Sequence, residues 1–428
     1  MRAKISMLGV AVGALLVATQ IFAQTEAVPG AGFAAVPGKG GQDPFGPYEP
    51  VPDWPKDFST VPGYGDWTWG AGQGIFAESS DRIFIVQRGL LKKIERPKNR
   101  IIVDQGTRLR FPAGHHYASR DADGTVPWRD ATDASPGQNS PSGMQAWRDA
   151  GYELGVDALW EHCIVIVDAE GNIVDTWEQW DSMLVRAHAV HINPYDPEKH
   201  VWIVDDRAHA IYKLTNDGKA LVQTLGVPHE SGTDERHFDV PTSMAFLPDA
   251  MFVADGEGNS RVVKLDNDGN YLMEWGQEGT SPNDTRPGYF NILHGIDVDP
   301  ETRRVYVSDR LNHRMQVFDE DGKFLNQWRF GEPPSDIQHL IVADGAVWAA
   351  DAGTTKLLKY DLEGNFLYSW GSSGTFPGGM WGVHGMTVDE QGNFYIAEVN
   401  AGGAQKFRPR EGANPAFLIG SPVRPDGR

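Results

Sequence analysis

The chain has 428 residues, with 38 Lys+Arg against 58 Asp+Glu and a formal charge of −20. So acidic a surface repels phosphate backbones and anionic headgroups, which excludes nucleic acid and the membrane surface as partners. The one cysteine, Cys163, excludes an intramolecular disulfide, and its setting in Cys163-Ile164-Val165-Ile166-Val167 reads as a buried strand with the thiol as apolar filler.

The chain opens on Arg2 and Lys4, followed by an apolar run to residue 23 that ends in Ile21-Phe22-Ala23. This is the layout of a signal peptide over residues 1–23, and it predicts a secreted or periplasmic protein of bacterial type. The run is short for a bilayer span and leads into a polar, Pro/Gly-rich stretch, so no membrane partner is expected once the signal is removed. Residues 24–66 bury too little apolar surface to offset their chain entropy and are expected to form a linker or surface strap.

From residue 67 to 421 the sequence repeats. Residues 293–329 carry four strand phrases: Leu293-His294-Gly295-Ile296-Asp297-Val298, Val305-Tyr306-Val307-Ser308-Asp309, Arg314-Met315-Gln316-Val317-Phe318 and Phe324-Leu325-Asn326-Gln327-Trp328. The last two are joined across Asp321-Gly322, a hairpin signal. The same order recurs in units starting near residues 188, 241, 337 and 383. A first unit is interrupted: Ile83-Phe84-Ile85-Val86 matches the second strand, and residues 163–177 match the third and fourth. Between them lies an insertion over about 105–162, with a short helix expected near 144–149. Six such units predict an all-β, six-bladed β-propeller of four-stranded blades, with a long insertion in the first blade and a tail at 422–428. Residues 415–419 are the expected last strand. Trp67-Thr68-Trp69-Gly70 either joins the closing blade or packs against it.

Aligning the first strand of each blade by its apolar pair puts six residues at one register: Gln73, His188, Thr242, His294, Gln338 and His384. A single histidine at the head of a strand is more often an ordinary polar residue than a ligand. Three at one register, on alternate blades, form a triangle aimed at one spot in the channel. Three neutral imidazoles with an open fourth position suit a catalytic zinc, with Thr242 and Gln338 as hydrogen-bond partners behind them. Strand spacing puts each imidazole on the face of the apolar residues two and four positions on. His191, His200, His209, His313 and His339 read as structural or solvated, and His115-His116 falls in the insertion. The Asp that ends the second strand at 205, 255, 309 and 351 recurs, which points to turn capping. Arg88 and Arg310 do not recur, so each is a candidate to grip a carboxylate, against the alternative of a surface or inter-blade ion pair.

The phrase Asp309…Asn312-His313-Arg314-Met315-Gln316-Val317-Phe318-Asp319…Asp321-Gly322 resembles the NHL repeat, and the resemblance extends over roughly residues 70–421. The three histidines, Gln87-Arg88-Gly89 and Ser308-Asp309-Arg310 together resemble peptidyl-α-hydroxyglycine α-amidating lyase. That resemblance implies a six-bladed NHL propeller with a channel zinc, cleaving a C–N bond to give a peptide amide and glyoxylate. It implies His188, His294 and His384 as Zn²⁺ ligands and Arg88 and Arg310 as active-site arginines. The chain departs from the family where Asp255-Gly256-Glu257 puts Glu257 in the place of a catalytic tyrosine. Glu257 is then the expected base, provided a dry channel raises its pKa. Gly385 follows His384 where the family has a carboxylate, which weighs against a structural Ca²⁺, and Gly382 replaces a methionine. Other divalent metals also suit three imidazoles. Two alternatives stay open: a non-catalytic secreted propeller that binds a peptide, glycan or protein partner, and a related metal-dependent enzyme on another small substrate. The sequence sets no oligomeric state.

Overall fold

The computed structural model describes residues 46–93, 141–280, 284–330 and 335–420. The expected signal at 1–23, the pair His115-His116 and the tail at 422–428 lie outside the described residues, as do parts of the expected linker and insertion. Within the described residues no helix is long and apolar enough to cross a membrane.

The described chain is all-β, with six four-stranded antiparallel sheets. Sheet one holds Gly72–Ser79, Arg82–Gln87, Ile164–Val167 and Ile173–Thr176. Sheets two to six begin at Ala187–Ile192, Pro241–Leu247, Leu293–Asp299, Ile337–Ala343 and Val383–Val388. Each first strand packs on the next, and Val383–Val388 packs back on Gly72–Ser79. This cyclic order is consistent with a β-propeller.

The core sits between neighbouring sheets, because each strand alternates its apolar side chains to two faces. Phe252, Ala254 and Val262 of sheet three, for example, cluster with Ile296, Val298 and Val305 of sheet four. The recurring Trp and Asp-Gly of the sequence are two halves of one inter-sheet contact. Gly322 has φ +77° in its turn, and a Cβ there would stand 2.8 Å from the Trp275 ring of the preceding sheet. The residue ending each second strand also has one repeated task. Asp205, Asp255, Asp309, Asp351 and Glu398 accept from the backbone N–H of Val185, Asp239, Asn291, Asp336 and Trp381 at 2.7–2.8 Å, and Gln87 accepts from Gly70 at 2.9 Å. The second strand thereby anchors the entry to the first.

One expectation is corrected. The outer strand of sheet six is not 415–419 but Tyr48–Pro50, from within the expected linker, paired antiparallel with Phe407, Arg408 and Pro409. Pro415–Phe417 is a 3-10 turn, since Asn414 accepts from the Ala416 N–H and starts a helical turn. Pro50 is tolerated because the strand is an edge. Of the two places expected for Trp67–Trp69, the second holds: the strand joins Leu90–Lys92 and Ala158–Leu159 in a small separate sheet and packs on Tyr395, Ala397 and Ala404 of sheet six. Between Gln87 and Ile164 the chain leaves sheet one, and the α-helix Gly143–Asp149 appears where a short helix was expected, capped by Ser142. Its Trp147 is buried, and Gly143 N–H donates to Leu184 O, just before Arg186 and His188.

Candidate metal centre

Every first strand slips by one residue against its second strand near the same place. Gln73, His188, Thr242, His294, Gln338 and His384 all sit at these slips. A β-bulge re-aims the extra residue away from the pleat. The residue set matches the one read from register, but the local reason differs. In sheet two, Val190 and Ile192 pack into the core shared with sheet one while His188 turns to the axis. The apolar residue two positions on, Val190, also lines the channel, so the imidazole and that residue face the same space at different depths.

The three rings meet as a near-equilateral triangle, with centroids 4.9 Å apart for His188–His294, 4.6 Å for His188–His384 and 5.0 Å for His294–His384. Nδ1 of His188 donates to Thr242 O (2.7 Å), Nδ1 of His294 to Gln338 O (2.6 Å) and Nδ1 of His384 to Gln73 O (2.7 Å). A carbonyl only accepts, so each ring is the Nδ1–H tautomer and its Nε2 carries a lone pair. Thr242 and Gln338 thus do stand behind the histidines, through backbone carbonyls rather than side chains, and Gln73 completes the set. One nitrogen from each ring lies within 4.8 Å of the other two, and Nε2 of His294 is buried with no hydrogen-bond partner. Burial holds all three imidazoles neutral: His188 is lowered, His294 falls to about 3 with His188 and Arg310 adding to burial, and His384 falls well below its ordinary value. Three converging neutral nitrogens fit a divalent metal. Next to His384, a Cβ on Gly385 would stand 3.1 Å from Gly74 Cα, so the backbone leaves little room for a carboxylate there.

A chain of charges covers one side of the triangle. Arg186 donates Nε to Asp206 Oδ1 (2.7 Å), a second short contact to Asp206 Oδ2, and Nη2 to Glu257 Oε2 (3.2 Å). Arg310 donates Nη1 to Glu257 Oε1 (3.3 Å) and holds Asp336 through Nε and Nη2. Glu257 Oε1 is 3.7 Å from Nε2 of His294, and Asp206 Oδ2 is 3.9 Å from Nε2 of His188. Arg88 is buried and donates Nη2 to Gln73 Oε1 (2.9 Å). Burial pushes Arg88 down to about 9, with Arg186 adding to the shift and Asp206 and Glu257 opposing it. Glu257 and Arg310 keep 18% and 20% of their side-chain surface exposed, so the triangle is approached from their side.

The Glu257 pKa does not move as the sequence predicts. Burial does act to raise it, but the charges of Arg186 and Arg310 outweigh burial and hold the carboxyl well below its ordinary range. The sequence reading also misses Arg186 and Asp206. The signal for Asp206 was present: it follows the second strand of sheet two as Arg88 and Arg310 follow theirs. His191 and His339 line the channel beneath the triangle, where burial lowers each to about 3. His200, His209 and His313 bond to Asp196, the Val240 N–H and Ser335 O, away from the triangle. Cys163 is buried with its thiol pushed up by burial, as a filler would be. Further down, the channel widens to a cavity of about 590 Å³ lined by Ile75, Val190, Met244, Ile296, Leu340 and Met386, so volume and chemistry lie at different depths.

An NHL repeat model matches residues 290–318. Peptidyl-glycine alpha-amidating monooxygenase A of Xenopus laevis is 28% identical over 60% of this chain and 28% of that protein. The chain thus spans less than a third of that relative's length. NHL repeat-containing protein 3 of Mus musculus is 32% identical over 56% of this chain and 71% of that protein. Peptidyl-alpha-hydroxyglycine alpha-amidating lyase 1 of Drosophila melanogaster is 31% identical over 53% of this chain and 46% of that protein.

Proposed function

We propose, from the premise that this chain belongs to the NHL-repeat family, that it is an exported, metal-dependent lyase of the peptidyl-α-hydroxyglycine α-amidating type. In this reading it is a six-bladed propeller with its long insertion in the first blade, and its substrate is a peptide or small molecule bearing a carbinolamide. Export is carried by the basic start and apolar run of residues 1–23. The observation that carries the activity is the convergence of three neutral, carbonyl-anchored imidazoles at alternate bulges.

His188, His294 and His384 would hold the metal, Zn²⁺ in the first instance. Such a metal supplies Lewis-acid polarisation of a hydroxyl and lowers its pKa. Arg88 grips the substrate carboxylate, because a buried guanidinium gains most from an anion. Glu257 takes the proton from the hydroxyl oxygen and returns it to the amide nitrogen as the C–N bond breaks. One O–H and one C–N bond are lost, and one C=O and one N–H bond form, giving an amide and glyoxylate. Arg310 and Arg186 fix Glu257 as an anion, and because they also depress its pKa they weaken it as a base, so the transfer depends on a hydroxyl that has itself been acidified.

The test is glyoxylate release from an α-hydroxyglycine peptide by the metal-loaded full chain. Release that disappears in His294→Ala and falls by at least about 100-fold in Glu257→Gln supports the reading. One equivalent of bound metal without glyoxylate release selects a related enzyme on another small substrate, a reading favoured by the engagement of both Glu257 oxygens. Protein that takes up no metal is the non-catalytic binder.

A further inference from the structure

We infer that Glu257 is itself a metal ligand, so that the substrate-free centre is a three-histidine, one-carboxylate site rather than a three-histidine site with an open position. The inference rests on the metal reading above and concerns what fills the fourth place until substrate displaces it, which frees the carboxylate for the proton transfer.

Two ligand atoms on one tetrahedral centre with bonds of about 2.1 Å stand about 3.4 Å apart. Glu257 Oε1 stands 3.7 Å from Nε2 of His294, the buried nitrogen that has no hydrogen-bond partner. Glu257 also belongs with His188 and Asp206 to a set whose ligand atoms lie within 4.8 Å of one another. The one carboxylate therefore reaches two members of the triangle.

Asp206 is the rival, and it differs in how its oxygens are used. Arg186 takes both Asp206 oxygens in a fork, with Nε at 2.7 Å and Nη2 closer still. That is the geometry of a bidentate pair, which consumes the lone pairs facing the cation. Glu257 receives one contact per oxygen, at 3.2 and 3.3 Å from two different arginines. These contacts are long for charge-assisted bonds, so they orient the carboxylate and leave a lone pair on each oxygen facing elsewhere. Arg186 and Arg310 then act as the partners that fix a ligating carboxylate. The consequence is chemical. An anionic oxygen donor added to three imidazoles halves the charge of a bound divalent ion and makes the centre harder. That widens its metal range from zinc toward iron and manganese.

The test uses the metal-free full chain titrated with Co²⁺, whose visible bands report ligand number and type. Wild type, Glu257→Gln and His294→Ala are compared, with unfolding midpoints checking that each variant folds. Ligation predicts that Glu257→Gln weakens Co²⁺ binding by at least about 10-fold and shifts the bands. Unchanged affinity in Glu257→Gln, or weaker affinity with the wild-type spectrum, overturns ligation. If His294→Ala still loses the metal in that case, the metal reading survives. Wild-type Co²⁺ binding in His294→Ala overturns both.

Discussion

Nδ1 of His294 donates to the backbone carbonyl of Gln338 2.6 Å away, in the neighbouring sheet. The bond crosses from one first strand to the next, so the same contact that orients the ring also ties two sheets together. Its acceptor is main chain, and that yields the first prediction. Gln338→Ala should leave metal stoichiometry at the wild-type value, whereas His294→Ala should abolish it. Element analysis of both purified variants checks this. Loss of metal in Gln338→Ala would mean that the side chain, which donates to Asp336 at 2.8 Å, matters more than the carbonyl.

The His294 ring is held to about 3 against an ordinary value of 6.5. Its sign follows from proton counting: between those values the unfolded chain binds a proton that the fold refuses, so stability falls as pH falls. From pH 7 to pH 4.5 this one group costs roughly 2–3 kcal/mol. Urea unfolding of the metal-free protein at the two pH values should therefore show a smaller loss in His294→Asn than in wild type, by about that amount. Equal losses would mean the imidazole is already solvated or protonated at pH 4.5.

How much of this was legible in the sequence depends on the range of the interaction. The hairpin turns and the Trp-Gly phrases are local and periodic, so the six-unit repeat is readable. The triangle is readable because alternation at one register survives even when the local geometry is misjudged. The bulges themselves carry no residue signature: glutamine, threonine and histidine all occupy them. The strand Tyr48–Pro50 is three residues in a Pro/Gly-rich stretch, and its partners begin more than 350 residues later, so no window reveals it. The Glu257 pKa is hidden from the sequence for a similar reason. Burial is guessable from a channel position, but Arg186 and Arg310 come from other sheets and reverse its effect.

Tyr48 links the two ends of the described chain. It is fully buried, its hydroxyl accepts from the Ile419 N–H at 2.8 Å, and its ring lies 5.6 Å from both Trp370 and Phe394. Tyr48→Phe removes only the acceptor and should cost about 1–2 kcal/mol. Tyr48→Ala also empties an aromatic site and should cost about 3–5 kcal/mol. Denaturant unfolding that fails to separate the two variants would show that the strand is dispensable to sheet six.

The contact between Gly322 and Trp275 tests the inter-sheet packing apart from the metal. Gly322→Ala adds a Cβ at φ +77°, 2.8 Å from the indole, so it combines a disfavoured backbone region with a clash against a wedged ring. A loss of about 1–3 kcal/mol is expected, with metal stoichiometry unchanged. With 14 tryptophans in the chain, the near-UV circular dichroism of Trp275 is read as the difference from a Trp275→Phe control, and an unaltered difference together with unaltered stability would show that the contact carries no packing energy.

In the proposed lyase, Arg88 sets stability against function. Its guanidinium is buried, and desolvation outweighs the pull of Asp206 and Glu257, which leaves its pKa at about 9. The group remains charged at neutral pH, and the fold carries the cost of burying it. A substrate carboxylate would recover that cost on binding, which is the physical reason to place the carboxylate there. Arg88→Met should therefore stabilise the substrate-free protein by about 1–2 kcal/mol. The same substitution should raise KM for an α-hydroxyglycine peptide by at least about 30-fold, since truncating one partner of a buried charge pair costs 2 kcal/mol or more. The two readouts move in opposite directions, which a merely structural arginine cannot do. A variant that loses stability and keeps its KM would assign Arg88 to the scaffold and leave the carboxylate grip to another arginine.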